Sequence, residues 1–109
     1  MTRIGAIAVV LSVAGCATFA GGEGLDANQL PVEVRADYAL FARRCSKCHS
    51  LARPLGSGIV NDATWVDYVN RMRRLPGSGI SPADMEPILR FLHYYSLEQQ
   101  RRKRPAPDG

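Results

Sequence analysis

Cys45-Ser46-Lys47-Cys48-His49 is the stretch that decides how this chain folds. Two thiols three positions apart at the end of a helical turn reach the two vinyl groups of one porphyrin as thioethers. The next residue then sets an imidazole under the iron. Cys-x-x-Cys-His is the attachment signature of haem c. Cys45 and Cys48 are therefore the expected attachment points for one covalent haem, and His49 is the expected proximal iron ligand. Reading the two cysteines as a thiol–disulfide pair requires a βαβ context and leaves His49 idle. A zinc site built from Cys45, Cys48, His49 and the distant His93 has poor tetrahedral spacing.

Helical periodicity surrounds the motif. Upstream, from Pro31 to Cys45, the residues Val34, Tyr38, Phe41, Ala42 and Cys45 recur at i, i+4, i+7, i+8 and i+11, the pattern of one buried helix face. Arg35, Asp37, Arg43 and Arg44 fall on the other face, and Pro31 suits a first turn. Downstream, Asn61 or Asp62 can cap a second helix that carries Trp65, Tyr68, Val69 and Met72. Pro76-Gly77-Ser78-Gly79 breaks it. A third helix starts near Ser81-Pro82-Ala83-Asp84, with Ile88, Leu89, Phe91, Leu92 and Tyr95 as its apolar face. Pro87 deletes a hydrogen bond there, so this helix either kinks or begins at Asp84. No strand alternation is present, and the expected class is all-α with about three core helices.

The ends read differently from the middle. Arg3 and the apolar stretch Ile4–Val13 form a short leader ending in Val13-Ala14-Gly15-Cys16. The apolar run is too short to span a bilayer. The tetrapeptide resembles the lipobox of bacterial lipoproteins, which implies a signal peptide over residues 1–15 and a lipidated Cys16. The alternative is ordinary cleavage after Thr18-Phe19-Ala20. Residues 16–30, rich in glycine and polar side chains, read as the lipidated N-terminus and a flexible tether. Residues 101–109, opening on Arg101-Arg102-Lys103-Arg104-Pro105, read as a basic disordered tail. That leaves residues 31–100 as the folded unit, a marginal size for a self-sufficient core, so a covalent staple is expected. Haem supplies it, and the three cysteines of the chain are then all used: one on lipid, two on haem. The net charge of +4 is a modest basic excess that allows acidic partners.

Over residues 31–100 the chain resembles the small monohaem class I c-type cytochromes of bacteria. In that family an N-terminal helix runs into Cys-x-x-Cys-His and crosses a C-terminal helix, and Pro31–Cys45 and Asp84–Gln100 match those two. The tract Trp65-Val66-Asp67-Tyr68-Val69-Asn70-Arg71-Met72, followed by Pro76-Gly77-Ser78-Gly79-Ile80-Ser81, is similar to members whose distal methionine closes the middle helix. The resemblance implies a compact cytochrome c fold around one covalent haem. It also implies Met72 as the sixth iron ligand, with Met85 and His93 as the other residues able to take that place. The family orients its proximal histidine with a proline carbonyl just downstream, which makes Pro54 the candidate here. Trp65 either donates its indole N–H to a haem propionate or plugs the core.

The expected function is that of a monohaem electron carrier, not an enzyme. It is tethered by lipid to the periplasmic side of a bacterial membrane and passes single electrons between redox proteins, a dehydrogenase or an oxidase. Neither a nucleic acid nor a small-molecule substrate is expected. The alternative is a haem enzyme or gas sensor, peroxidase-like, with an open sixth coordination position.

Overall fold

The computed structural model describes residues 24–104. The expected signal peptide, Cys16 and residues 105–109 lie outside the described residues. Four helices make up the described chain: α1 (Val32–Cys45), α2 (Ala52–Leu55), α3 (Asp62–Arg74) and α4 (Pro82–Lys103). A 3-10 turn, Ala27–Gln29, precedes them, and no strand occurs among the described residues. None of the described helices is long and apolar enough to cross a membrane.

Local chemistry explains where the long helices start. The Asn61 side chain accepts the Thr64 N–H at 3.2 Å and so caps α3. Ser81 and Asp84 form a reciprocal capping box on α4, with Pro82 in the first turn, so two otherwise orphaned donors are satisfied. The helix thus begins at Pro82, not Asp84, and continues through Pro87. The carbonyl that Pro87 leaves unpaired belongs to Ala83, an exposed residue whose carbonyl water can reach.

The core lies where α1 and α3 pack on α4. Phe41 of α1 and Phe91 of α4 meet with ring centroids 4.9 Å apart, and Tyr38 stands 5.1 Å from Phe91. Trp65, Val69, Ile88 and Leu92 fill the remainder. Aromatic pairs at such tilted geometry add to their area burial.

Three sequence expectations need correction. Asp37, assigned to the solvent face of α1, is only 7% exposed. It accepts two hydrogen bonds from Arg90, at 2.7 and 2.8 Å, a fork geometry that locks α1 to α4. The tether is not free over its whole length. Tyr38 Oη donates to the Leu25 carbonyl at 2.9 Å and accepts from the Leu25 N–H at 2.6 Å. Arg35 donates to the Leu30 carbonyl at 2.9 Å, and Leu30 is buried. The fold therefore takes in Gly24, whose missing side chain leaves room for the Tyr38 hydroxyl; a Cβ there would lie 2.5 Å from it. Finally, the basic tail is helical as far as Lys103. Arg101, Arg102 and Lys103 occupy the last turn, where cations suit the negative end of the helix dipole, and Arg101 pairs with Glu98 at 2.6 Å.

Trp65 is 1% exposed, and its Nε1–H donates to Ser96 Oγ at 2.6 Å. Ser96 Oγ in turn donates to the Ile59 carbonyl. Ser96→Ala strands the indole donor inside the core, at a cost of about 1–3 kcal/mol. A lowered melting temperature of the purified protein is the expected result; an unchanged one would mean that the indole finds another acceptor.

Candidate functional site

The end of α1, the loop after it and the end of α3 line one small cleft. Cys45, Cys48 and His49 line one part of it. Tyr68, Met72 and Leu75 line another, and Ser78, Ile80 and Arg44 complete the walls. The lining is mostly apolar apart from the sulfur and imidazole donors.

Local folding explains why these groups converge. Cys45 is the last residue of α1, so the motif unwinds from a helix end that α4 holds in place. Arg44 reinforces that hold through a 3.1 Å ion pair with Asp84. Asp84's carboxyl is held below its ordinary range, first by the Ser81 backbone N–H and also by Arg44. On the other side, Tyr68 and Met72 are four residues apart on α3 and share a helix face. Gly77 and Gly79 adopt φ of 79° and 69°, the left-handed region that glycine enters without a steric cost. Ser78 Oγ donates to the Arg73 carbonyl at 3.0 Å. The turn so formed brings Ser78 and Ile80 back onto the cleft.

The ring of His49 is half-buried. Its Nδ1–H donates to the Ser50 carbonyl at 3.1 Å, a bond that leaves Nε2 as the nitrogen with a free lone pair, the form a metal ligand needs. The expected acceptor was the Pro54 carbonyl. That oxygen instead accepts the Ser57 hydroxyl at 2.7 Å and the Ser57 N–H at 3.2 Å, because residues 52–55 curl into α2 and turn it toward the next loop. Pro54 is buried but does not line the cleft. Trp65 does not line it either: its N–H is spent on Ser96, so of its two expected roles the core plug is the one observed.

The two methionines of the described residues part company. Met72 lines the cleft with the motif residues. Met85 lies in a separate, more open groove with Trp65, Val66, Pro82 and Leu89. His93 is exposed and bonded through Nδ1 to the Asp62 carboxylate at 2.9 Å, which joins the start of α3 to α4 away from the cleft lining.

Burial raises the Cys45 thiol to about 11, and Cys48 is exposed. Tyr68 is raised as well, chiefly by burial and then by Cys45. Its hydroxyl is buried without a hydrogen-bond partner, a loss of about 1–3 kcal/mol for a hydroxyl sealed from water. The sequence reading treated Tyr68 only as part of a helix face. Its position at i−4 from Met72 was the signal available for a place in the site.

The residues suit a covalently held porphyrin. Two sulfurs, an imidazole with Nε2 bare and a thioether converge on one apolar cleft, and one buried hydroxyl there lacks an acceptor. Among the described residues no cluster of three or more His, Cys, Asp or Glu side chains is placed to hold a metal ion without such a group.

Comparison of the chain with protein-family models, with curated proteins and with solved structures finds no match.

Proposed function

We propose that the protein is a monohaem c-type cytochrome that carries single electrons between redox proteins, with haem c attached through Cys45 and Cys48. The observation that carries this reading is the convergence of Cys45, Cys48, His49 and Met72 on a single cleft. When bound, the haem supplies an iron that alternates between two oxidation states by one electron. The chain's own residues do the rest. His49 presents Nε2 and Met72 its sulfur, a ligand pair that favours the reduced state more than two nitrogens do. Tyr68 and Ile80, both buried, wall the cleft with apolar surface and lower the local dielectric. If His49 and Met72 both held the iron, the site would leave no position for substrate, which favours a carrier over an enzyme or gas sensor.

The thiol–disulfide alternative has little physical support. A reactive cysteine has a depressed pKa, whereas burial pushes Cys45 upward, and the described residues include no βαβ unit. A zinc site fares no better, since His93 is engaged with Asp62.

Charge near the cleft suits an acidic redox partner such as a dehydrogenase or oxidase. Arg71 stacks over the Tyr68 ring at 5.9 Å. Lys47 extends its amine over Gly79, where an added Cβ would meet it at 2.6 Å. Neither these two nor Arg74 has a carboxylate partner among the described residues. Such cations mainly accelerate encounter, in a salt-dependent way.

A haem-stained denaturing gel with a redox titration of the same sample tests the reading. Covalent stain, a reversible one-electron wave and no carbon monoxide adduct are expected. Stain with ready carbon monoxide binding points instead to an open-site enzyme or sensor, and absence of stain overturns the haem assignment.

Lipidation at Cys16 is part of the same proposal and holds the domain at the periplasmic face of a membrane. Cys16→Ser is expected to move the protein from the membrane fraction to the soluble one, since a short cluster of basic residues is a weak, salt-screened anchor. Recovery of the unaltered protein in soluble form with an N-terminus near Gly21 would indicate ordinary signal cleavage.

A further inference from the structure

The two ends of α4 hold different things. Its first turn sits beside the cleft: Asp84 pairs with Arg44 at 3.1 Å, and Arg44 and Ile80 line the cleft with the motif residues. From there α4 runs for 22 residues, about 33 Å at ~1.5 Å per residue. α1 packs along it in the opposite sense, with Asp37 on Arg90 and Tyr38 beside Phe91. The far end of α4 carries Arg101, Arg102, Lys103 and Arg104, all exposed. Arg101 pairs with Glu98, whereas Arg102, Lys103 and Arg104 have no carboxylate partner among the described residues. Leu97, 52% exposed, precedes Arg101 by one turn on the same helix face.

The N-terminal segment joins the fold at this far end. Leu25, held by the Tyr38 hydroxyl, lines a hollow with Asp26, Tyr94, Glu98 and Arg102. Asp26 and Glu98 offset part of the positive charge there and leave a cationic excess. The eight residues from Cys16 to Glu23 reach no more than about 28 Å even when fully stretched. A lipid on Cys16 therefore keeps the basic end of α4 near the headgroups, while the cleft lies roughly a helix length beyond it. Cations held that close to an anionic bilayer are attracted to it within about a Debye length. Lys47, Arg71 and Arg74 compete for the same surface, but they lie at the cleft, remote from the tether.

We infer that the basic end of α4 is a membrane-apposed face that binds anionic lipid headgroups, so that the anchored domain stands with its cleft turned away from the bilayer. This rests on the lipidation of Cys16 in the reading above and is independent of the haem. An acidic protein could meet the same charges, but the chain's own anchor brings the bilayer to this end.

The test uses the only two lysines of the chain, Lys47 by the cleft and Lys103 at the basic end, both exposed. The full, lipidated, haem-loaded chain is placed in phosphatidylcholine vesicles with or without phosphatidylglycerol. Amine acetylation at each lysine is then followed by mass spectrometry. Phosphatidylglycerol is expected to slow Lys103 relative to Lys47 at least about fivefold, the gain of one cation near such a surface. High salt, or Arg102→Gln with Arg104→Gln, should remove most of that protection. Protection of Lys47 instead, or of neither lysine, overturns the inference while the anchor stands. Equal protection of Lys103 on neutral vesicles also overturns it, by showing that crowding at the tether is enough. Protection by a polyglutamate peptide and not by phosphatidylglycerol would assign the face to an acidic protein. A mature chain whose mass lacks the acyl groups removes the anchor reading and this orientation together.

Discussion

Replacing Cys45 and Cys48 together with alanine is expected to yield a chain with no covalent haem and no cooperative fold. The domain is small, and its side chains divide unevenly between a core and a cleft. The core of Phe41, Trp65, Val69, Ile88, Phe91 and Leu92 ties α1 and α3 to α4. On the cleft side, Met72 is only partly buried and Leu75 is exposed, so much of their apolar area gains nothing from burial at ~25 cal/mol per Å². The loop that follows α1 has little regular structure of its own, since α2 is a single four-residue turn and most of residues 56–61 are exposed. Domains of this size sit close to zero net stability without a staple. The checks are a haem-stained gel, near-ultraviolet circular dichroism and a thermal melt. Absent stain with lost tertiary signal and a broad, shallow melt is the expected combination. A compact variant that melts sharply without haem would show that the helices hold together by themselves.

Met72→Ala is expected to abolish the methionine–iron(III) band and lower the potential, while Met85→Ala leaves both unchanged. The geometry separates the two sites: Met72 lines the cleft of the motif residues, and Met85 the groove beside Trp65 and Leu89. Loss of the thioether leaves the iron with a harder ligand or none, which favours the oxidised state. A fall of roughly 120 mV is modest against the ~0.8 V that axial ligands can cover, yet at ~59 mV per decade it changes one-electron equilibria about a hundredfold. The variant should retain its haem and cease to accept electrons from its donor. Met85→Ala should cost stability only, no more than about 2 kcal/mol for a partly buried side chain. Optical spectra and redox titration of both variants decide the matter, and exchanged outcomes would reverse the assignment.

Much of this could be read from the chain because the relevant interactions are local. The apolar recurrence from Val34 to Cys45 and the side-chain caps of Asn61 and Ser81 operate within a few residues, so sequence alone sufficed to place α1, α3 and α4. The spacing within Cys45-Ser46-Lys47-Cys48-His49 is local too, and with it the candidate haem site. The four-residue α2 escaped notice because so short a segment has no periodicity to detect.

What sequence could not determine depends on how the helices are rotated against one another. Asp37 looked solvent-facing because its partner Arg90 is 53 positions away, and Trp65 kept two roles open until Ser96, 31 positions on, took its N–H. The Pro54 carbonyl turned to Ser57 once α2 formed, and His49 found its acceptor at Ser50. Tyr38 ties Leu25, within the glycine-rich tether, to α1. Sequence separated Met72 from Met85 only through the family resemblance; the packing of α3 and α4 puts one beside the motif and the other in a different groove. Helix formation is a short-range matter of backbone and caps, whereas the choice of facing side chains is made by burial across the whole domain.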